Sequence, residues 1–196
     1  MRVFLAVNLN KKLQEELAQI QNELRSKVHG VRWVDPQLLH ITLKFLGELD
    51  EELLPVLENP LRKLGENMAS FTVSLARLGA FPSLNNPRVF WIGIEGGSSR
   101  LIKLATGIEH CLETLGLFSQ GGGTLKTTKK LFRPHITLGR KKGRGRQWET
   151  IPEVFRKTRR CKNTLPVRSF HLMQSTLYST GPVYTPLKEF LFGLKN

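Results

Sequence analysis

The chain has 196 residues, of which 30 are Lys or Arg and 16 are Asp or Glu, so its formal net charge is +14. A length below roughly 250 residues suits one domain, or two small lobes that share a core. No stretch approaches the roughly 18 consecutive apolar residues that would cross a bilayer, which excludes a transmembrane protein.

Two features of the sequence bear on its compartment. Cys111 and Cys161 are the only cysteines and have no paired spacing, so neither a disulfide framework nor a multi-cysteine zinc site can be built. The apolar start Val3–Val7 is followed by polar residues too soon for the apolar region of a secretory signal. We therefore expect a cytoplasmic protein that begins with a strand and has no membrane association.

Strands and helices alternate along the chain. Apolar periodicity predicts strands at Arg2–Val7, Leu38–Phe45, Phe71–Ala76, Pro87–Glu95, His135–Arg140, Val167–Tyr178 and Val183–Phe192. It predicts helices from Leu13 to near Gly30, at Asp50–Leu64, at 98–116 with Ser98 as a cap, and at Trp148–Arg159. Several strands alternate polar with apolar residues, which favours antiparallel pairing and an α+β class. The glycine-rich interval Gly121–Lys130 predicts a mobile loop.

Positive charge is concentrated in the C-terminal half. Half of the basic residues, fifteen, lie between Lys126 and Arg168, against two acidic residues, Glu149 and Glu153. Such a charged region attracts polyanions such as nucleic acids. A solvated surface that only aids solubility accounts for the same pattern, because a basic run carries no base-reading geometry.

One tetrapeptide, His-Ile-Thr-Leu, occurs twice, at 40–43 and at 135–138, in two predicted strands. Side chains alternate across a strand, so each copy presents an imidazole and a hydroxyl on one face and two aliphatic groups on the other. A single strand histidine is most often structural, but repetition in the same phase argues for function. The other histidines, His29, His110 and His171, have no such context.

Two imidazoles flanking one substrate would supply a general base and a general acid, because the imidazole pKa lies near roughly 6.5. The two threonines would donate hydroxyl hydrogen bonds. No HExxH or paired-cysteine pattern completes a zinc site around His40 and His135, so we expect no metal and no cofactor. Metal-free opening of a phosphodiester fits this set of groups, and the spacing alone does not decide which histidine is the acid.

At these residues the sequence resembles the two-histidine (2H) phosphoesterases, specifically the RNA 2',3'-cyclic phosphodiesterases historically called 2'-5' RNA ligases. The likeness extends over nearly the whole chain. It is carried by the segments Met1–Ala6, Leu39–Gly47, Pro87–Trp91, Arg133–Arg140 and Ser179–Tyr184.

The resemblance implies a bilobal α+β fold with two pseudo-twofold-related antiparallel sheets, each backed by helices, and a central active-site cleft. We expect residues 1–196 to form a single catalytic domain, and a monomer. The activity implied is hydrolysis of RNA 2',3'-cyclic phosphate ends to 2'-phosphate ends, with 2'-5' ligation as a reversible relative. By the same resemblance His40 is the proton donor, His135 is the proton acceptor, and Thr42 and Thr137 bind phosphate.

Three points stay open from the sequence. Arg133, two residues before His135, is a further candidate for phosphate binding, or it is paired at the rim. The Gly121–Lys130 interval is longer and more basic than the family pattern, which affects the size of substrate admitted. Two rival functions are a non-catalytic basic RNA-binding module and a 2H phosphoesterase that acts on a small cyclic nucleotide.

Overall fold

The computed structural model describes residues 1–117, 131–143, 151–158 and 160–193. Its strands are β1 (Arg2–Asn8), β2 (Val31–Trp33), β3 (His40–Glu48), β4 (Phe71–Pro82), β5 (Pro87–Ile94), β6 (His135–Lys141), β7 (Thr164–Val167), β8 (Ser169–Tyr178) and β9 (Gly181–Leu191). Its α-helices are α1 (Lys11–Arg25), α2 (Leu54–Glu66), α3 (Ser98–Thr114) and α4 (Ile151–Lys157). The α+β class is confirmed.

The strands form one curled antiparallel sheet in the order β7-β4-β5-β6-β3-β1-β8-β9, with β2 paired to the end of β6. Long ladders hold β4, β5 and β6 together on one side and β3, β1, β8 and β9 on the other. Between these two groups, β3 and β6 pair at Ile41 and Ile136. The two expected sheets are therefore joined where the repeated tetrapeptides meet.

One face of the sheet is covered by the helices. In α1 the side chains of Leu13, Leu17, Ile20 and Leu24 are fully buried, as their spacing predicts. The helix begins at Lys11 because the Asn10 side chain accepts a hydrogen bond from the Leu13 backbone N–H at 2.9 Å. Burying each such leucine or isoleucine contributes roughly 1.5–3 kcal/mol. Apolar side chains of the sheet and of all four helices form one common core.

The opposite face carries the polar motif residues and a small apolar cluster. We call it the site face and define it by the side chains of His40, Thr42, His135 and Thr137. The cluster consists of Phe4, Ala6 and Met173, with Tyr184 packed against it. Within residues 1–117, 131–143, 151–158 and 160–193 the helices pack on one face of the sheet only, and none of them covers the site face.

Several sequence predictions need correction. Ser98 does not cap α3: Gly97 occupies the cap position with φ +78°, and no side chain caps that end. Strands β2 and β7 were not predicted, because three or four residues are too few to show a period. The helix predicted at Asp50–Leu64 begins at Leu54 instead, with Pro55 in its first turn, where a missing N–H costs little, and it continues through Pro60 to Glu66.

Parts of the prediction fall on residues outside the described ranges. The Gly121–Lys130 interval does so entirely, as do both ends of the predicted helix Trp148–Arg159. None of the helices in the described part of the chain is long and apolar enough to span a membrane.

Candidate active site

The repeated tetrapeptides lie on neighbouring strands, β3 and β6, with their aliphatic residues in the core. Ile41 and Ile136 are directly opposite each other and fully buried. Residues opposite each other on antiparallel strands point to the same face, so the flanking residues project from the other one. The side chains brought together there are His40, Thr42, His135 and Thr137, all partly exposed.

Each histidine ring is oriented in the same way. Nδ1 of His40 donates to the carbonyl of Leu38 at 2.8 Å, and Nδ1 of His135 donates to the carbonyl of Arg133 at 2.6 Å. A carbonyl oxygen only accepts, so the proton lies on Nδ1 in the neutral ring and Nε2 keeps its lone pair. Both rings therefore have an Nε2 atom that can accept or donate a proton.

The two imidazoles share one electrostatic environment. Burial lowers the pKa of His40 below 6.5, and the charge of His135 lowers it further, against the opposing effect of the Leu38 carbonyl. Burial also lowers the pKa of His135, and the charge of Arg140 adds to this. The second proton is therefore harder to bind than the first, which favours one neutral and one charged ring.

At the last residue of each tetrapeptide, the alternation of side chains between the two faces of the sheet shifts by one residue. In β3 the pairs Ala6–Thr42 and Leu5–Lys44 leave Leu43 as an extra residue, and in β6 the pairs Trp91–Thr137 and Phe90–Gly139 leave Leu138. Such β-bulges turn the following side chains to the other face.

The two bulges add one residue each to the site face. After the first, Lys44 points to the helices, where Nζ lies 2.5 Å from Glu109 Oε1, and Phe45 projects beside Phe4 with 61% of its surface exposed. After the second, Arg140 projects close enough to lower the pKa of His135. Phe45 and Arg140 stand at the same position, five residues after each motif histidine, and simple alternation along the strands does not predict either of them on this face.

The bulge in β6 is held from the helix side. The buried amide of Gln21 in α1 donates from Nε2 to the carbonyl of Leu138 at 2.9 Å and to that of Val34 at 2.8 Å. The next residue, Gly139, lies so close to Val31 and Trp33 of β2 that a Cβ atom would meet Val31 Cγ1 at 2.7 Å. The position of Arg140 therefore depends on contacts of α1 and β2.

Aromatic rings enclose both histidines. The His40 ring centroid lies 5.0 Å from that of Phe4 and 5.3 Å from that of Tyr184. The His135 centroid lies 5.2 Å from that of Phe81 and 6.1 Å from that of Trp91. These rings exclude water from the imidazoles, which accounts for the effect of burial on the pKa of each.

Arg133, the remaining predicted residue, contacts the site through its backbone. Its carbonyl accepts the His135 Nδ1 hydrogen bond, and its side chain is exposed. Binding of phosphate by its guanidinium stays a prediction. Among the described residues, no group of three or more His, Cys, Asp or Glu side chains is assembled in a way that could hold a metal ion.

A cavity of about 240 Å³ lies elsewhere, between α2 and the strands β8 and β9. Its lining is largely apolar, with the Lys188–Glu58 ion pair at its side. Its two titratable side chains, Glu58 and Lys188, are paired with each other, so the site face with its two imidazoles is the stronger candidate for proton transfer.

A site made of two histidines and two threonines on one face of a curled antiparallel sheet defines a two-histidine phosphoesterase. Comparison with known proteins identifies one family within this class of enzymes. Residues 7–91 match the family described as LigT-like phosphoesterase. Relatives that are 33% and 36% identical over almost the whole chain show that it belongs to this family.

Similar proteins match over almost the whole chain. The chain is 33% identical to an RNA 2',3'-cyclic phosphodiesterase of Aquifex aeolicus, with 98% of this chain and 97% of the relative covered. It is 36% identical to one of Archaeoglobus fulgidus, with 97% and 99% covered. A crystal structure from Thermus thermophilus has a TM-score of 0.82 at 34% identity, covering 98% and 99%. Escherichia coli LigT complexed with 3'-AMP has a TM-score of 0.73 at 26% identity, covering 98% of each chain.

Proposed function

We propose that this chain hydrolyses 2',3'-cyclic phosphate ends of RNA to 2'-phosphate ends without a metal, as a single catalytic domain over residues 1–196. One observation carries the proposal: His40 and His135 lie on one face with Nδ1 fixed by a carbonyl, close enough for one charge to affect the other. The names of the relatives from Aquifex aeolicus and Archaeoglobus fulgidus support RNA as the substrate.

In the proposed reaction, water attacks the phosphorus atom in line with the bond to the ribose 3' oxygen. Nε2 of His135 takes a proton from the water as the new P–O bond forms. The bond between phosphorus and O3' breaks, and Nε2 of His40 protonates O3'. The products are a 2'-phosphomonoester and a free 3' hydroxyl, and the assignment of acid and base rests on the family resemblance.

Three groups on the site face would stabilise the negative charge on the phosphoryl oxygens. The hydroxyls of Thr42 and Thr137 donate hydrogen bonds, and the guanidinium of Arg140 supplies a positive charge with fixed donors. Arg140 is better supported than Arg133, because its charge acts on the His135 ring. Arg133 remains a second candidate at the rim.

Phe45 would hold the terminal base. Its ring is 61% exposed on the site face, which is unusual for a phenylalanine in the interior of a sheet. Stacking of a base on an aromatic ring is worth roughly 1–3 kcal/mol and tolerates any base. The site would therefore accept ends of different sequence.

Ligation through a 2'-5' bond would be a transesterification at the same two histidines. A 5' hydroxyl takes the place of water and attacks the cyclic phosphorus, so the P–O3' bond breaks in the same way. A cytoplasmic location and a monomeric state stay predictions.

The test offers a short RNA with a 2',3'-cyclic phosphate end to the protein in EDTA and identifies the phosphomonoester formed. A 2'-phosphate end is the expected product. Binding of RNA with steep salt dependence and no turnover would indicate the RNA-binding module instead. Turnover of a cyclic mononucleotide but not of RNA would indicate the small-nucleotide enzyme. If EDTA abolished the activity and added zinc or manganese restored it, the metal-free scheme would be contradicted.

A further inference from the structure

We propose that Arg32, Arg140 and Lys142 form a docking surface for the RNA backbone that leads to the reacting end, here called the Arg32 surface. The proposal rests on the proposed function and adds the part of the substrate beyond the cyclic phosphate. Its central feature is that Arg32 stands beside Arg140, outside the catalytic groups.

The register of β2 and β6 sets this arrangement. Arg32 lies directly opposite Arg140, between the pairs Val31–Lys141 and Trp33–Gly139. Val31 and Trp33 pack against the core, so Arg32 points the other way and is exposed. Opposite residues of an antiparallel pair share a face, which places both guanidinium groups on the site face.

The charge environment of Arg32 and Arg140 differs from that of an ordinary surface arginine. In the described part of the chain, Arg32, Arg140 and Lys142 form no ion pair with a carboxylate. Like charges directly opposite each other on paired strands destabilise a sheet. Neighbouring phosphates of one strand, one at each guanidinium group, would offset the repulsion and form charge-assisted hydrogen bonds.

The position relative to the histidines indicates which anion is bound. Arg140 acts on His135 and is assigned to the reacting phosphate, and Arg32 lies one strand away, with Cα atoms typically about 4.5–5.5 Å apart. Lys142, exposed, follows two residues after Arg140, and its backbone N–H donates to the Gly30 carbonyl. A second and third phosphate of the same strand would reach these two side chains, whereas a cyclic mononucleotide has no such groups.

The experiment compares two substrates with matched variants. Hydrolysis of a ten-nucleotide RNA ending in a 2',3'-cyclic phosphate is measured beside hydrolysis of 2',3'-cyclic AMP, for wild type, Arg32→Gln and the control Arg100→Gln. Arg100 is exposed in α3, whose apolar side chains pack into the common core on the helix side of the sheet. The control therefore removes the same charge far from the Arg32 surface.

For Arg32→Gln we expect KM for the RNA to rise roughly 3- to 10-fold, with kcat and the cyclic AMP kinetics unchanged. The slope of log KM for the RNA against the logarithm of the salt concentration should decrease by about 1, which corresponds to the loss of one phosphate contact. Thermal stability should stay level or rise, because a repulsion has been removed. Arg100→Gln should match wild type in every measurement.

The inference is overturned if Arg32→Gln and Arg100→Gln act alike on the RNA, or if both substrates change equally. Binding of the same RNA, labelled with a fluorophore, is titrated in parallel, since binding needs no turnover. A wild type that hydrolyses neither substrate would end the proposed function, while weaker RNA binding by Arg32→Gln alone would still support the surface. Hydrolysis of both substrates with no Arg32 effect would end the surface alone.

Discussion

Ile41 lies directly across from Ile136, both fully buried, at the point where β3 and β6 meet. Because these two residues point into the core, the histidine and threonine on either side of each must point out together. The same contact therefore joins the two groups of strands and brings the two polar motifs onto one surface.

Removal of either imidazole should abolish most turnover. We expect His40→Ala and His135→Ala each to lower kcat by about 10²- to 10⁴-fold, the usual contribution of general acid or base catalysis. The melting temperature should change little, because both imidazoles are partly exposed on the site face and lie outside the common core. His110→Ala, at an exposed position of α3, is the matched control. Normal turnover by either variant would contradict the paired-proton mechanism.

Loss of a threonine hydroxyl should have a smaller effect than loss of a histidine. Thr42→Val and Thr137→Val keep the shape of the side chain and remove a donor to the phosphoryl oxygen, which typically costs about 10²- to 10³-fold or less in rate. Serine at either position should restore much of the activity because it returns the hydroxyl. Valine and serine variants with equal rates would rule out a role for the hydroxyl.

The dependence of rate on pH should be bell-shaped, because one imidazole must be charged and the other neutral. Burial lowers the pKa of both His40 and His135 from 6.5, so the optimum of kcat/KM should lie below pH 6.5. The bound anion should raise both values, which places the optimum of kcat at higher pH than that of kcat/KM. A single-limbed profile would argue against two titrating groups.

Arg140→Gln offers a test of which histidine is the base. Its charge lowers the pKa of His135, so the variant should raise that pKa. If His135 is the base, the acidic limb of the kcat/KM profile moves to higher pH, because the base must be neutral. Movement of the alkaline limb instead would reverse the proposed roles of His135 and His40. Arg133→Gln is the comparison that separates the two candidate arginines.

Gln21 should act as a positioning residue through Arg140. Gln21→Leu removes the hydrogen bonds to the carbonyls of Leu138 and Val34, so the bulge that aims Arg140 loses its support. We expect kcat/KM to fall several-fold in the wild-type background and to stay almost unchanged in an Arg140→Gln background. Equal losses in both backgrounds would mean that Gln21 serves stability alone.

Glu16 is expected to hold the segment after α4 against α1. Burial opposes ionisation of Glu16, but hydrogen bonds from the Cys161 thiol, the Lys162 N–H and the N–H and amide of Asn163 outweigh it and lower its pKa from 4.5 to about 2. A pKa lowered by folding adds stability above pH 4.5 that is lost as the pH falls towards 2.

Glu16→Gln should therefore reduce the free energy of unfolding by about 2 kcal/mol at pH 7, and by less at pH 3. Urea unfolding at both pH values measures this difference. Glu15→Gln, at the exposed neighbouring position, should have little effect at either pH. If Glu16→Gln lowered the free energy of unfolding equally at pH 3 and at pH 7, the charge of Glu16 would not be the source of the stabilisation.

The sequence by itself determined the longer elements, but not the short strands β2 and β7, and it determined the faces within each repeated motif. The burial of Leu13, Leu17, Ile20 and Leu24, and the opposite faces of His40 and Ile41, follow from periods of 3.6 and 2 residues. These periods come from backbone geometry over a few residues, so they can be predicted without knowing what the element packs against.

The tertiary structure alone decided which side chains reach the site face beyond each motif. Strict alternation after Thr42 and Thr137 would put Lys44 and Gly139 on the site face, whereas the structure puts Phe45 and Arg140 there. The extra residues Leu43 and Leu138 exist only relative to the partner strands β1 and β5. The bulge at Leu138 further depends on a hydrogen bond from Gln21, 117 positions away in the chain. A bulge is a property of two paired strands, so one strand's pattern does not reveal it.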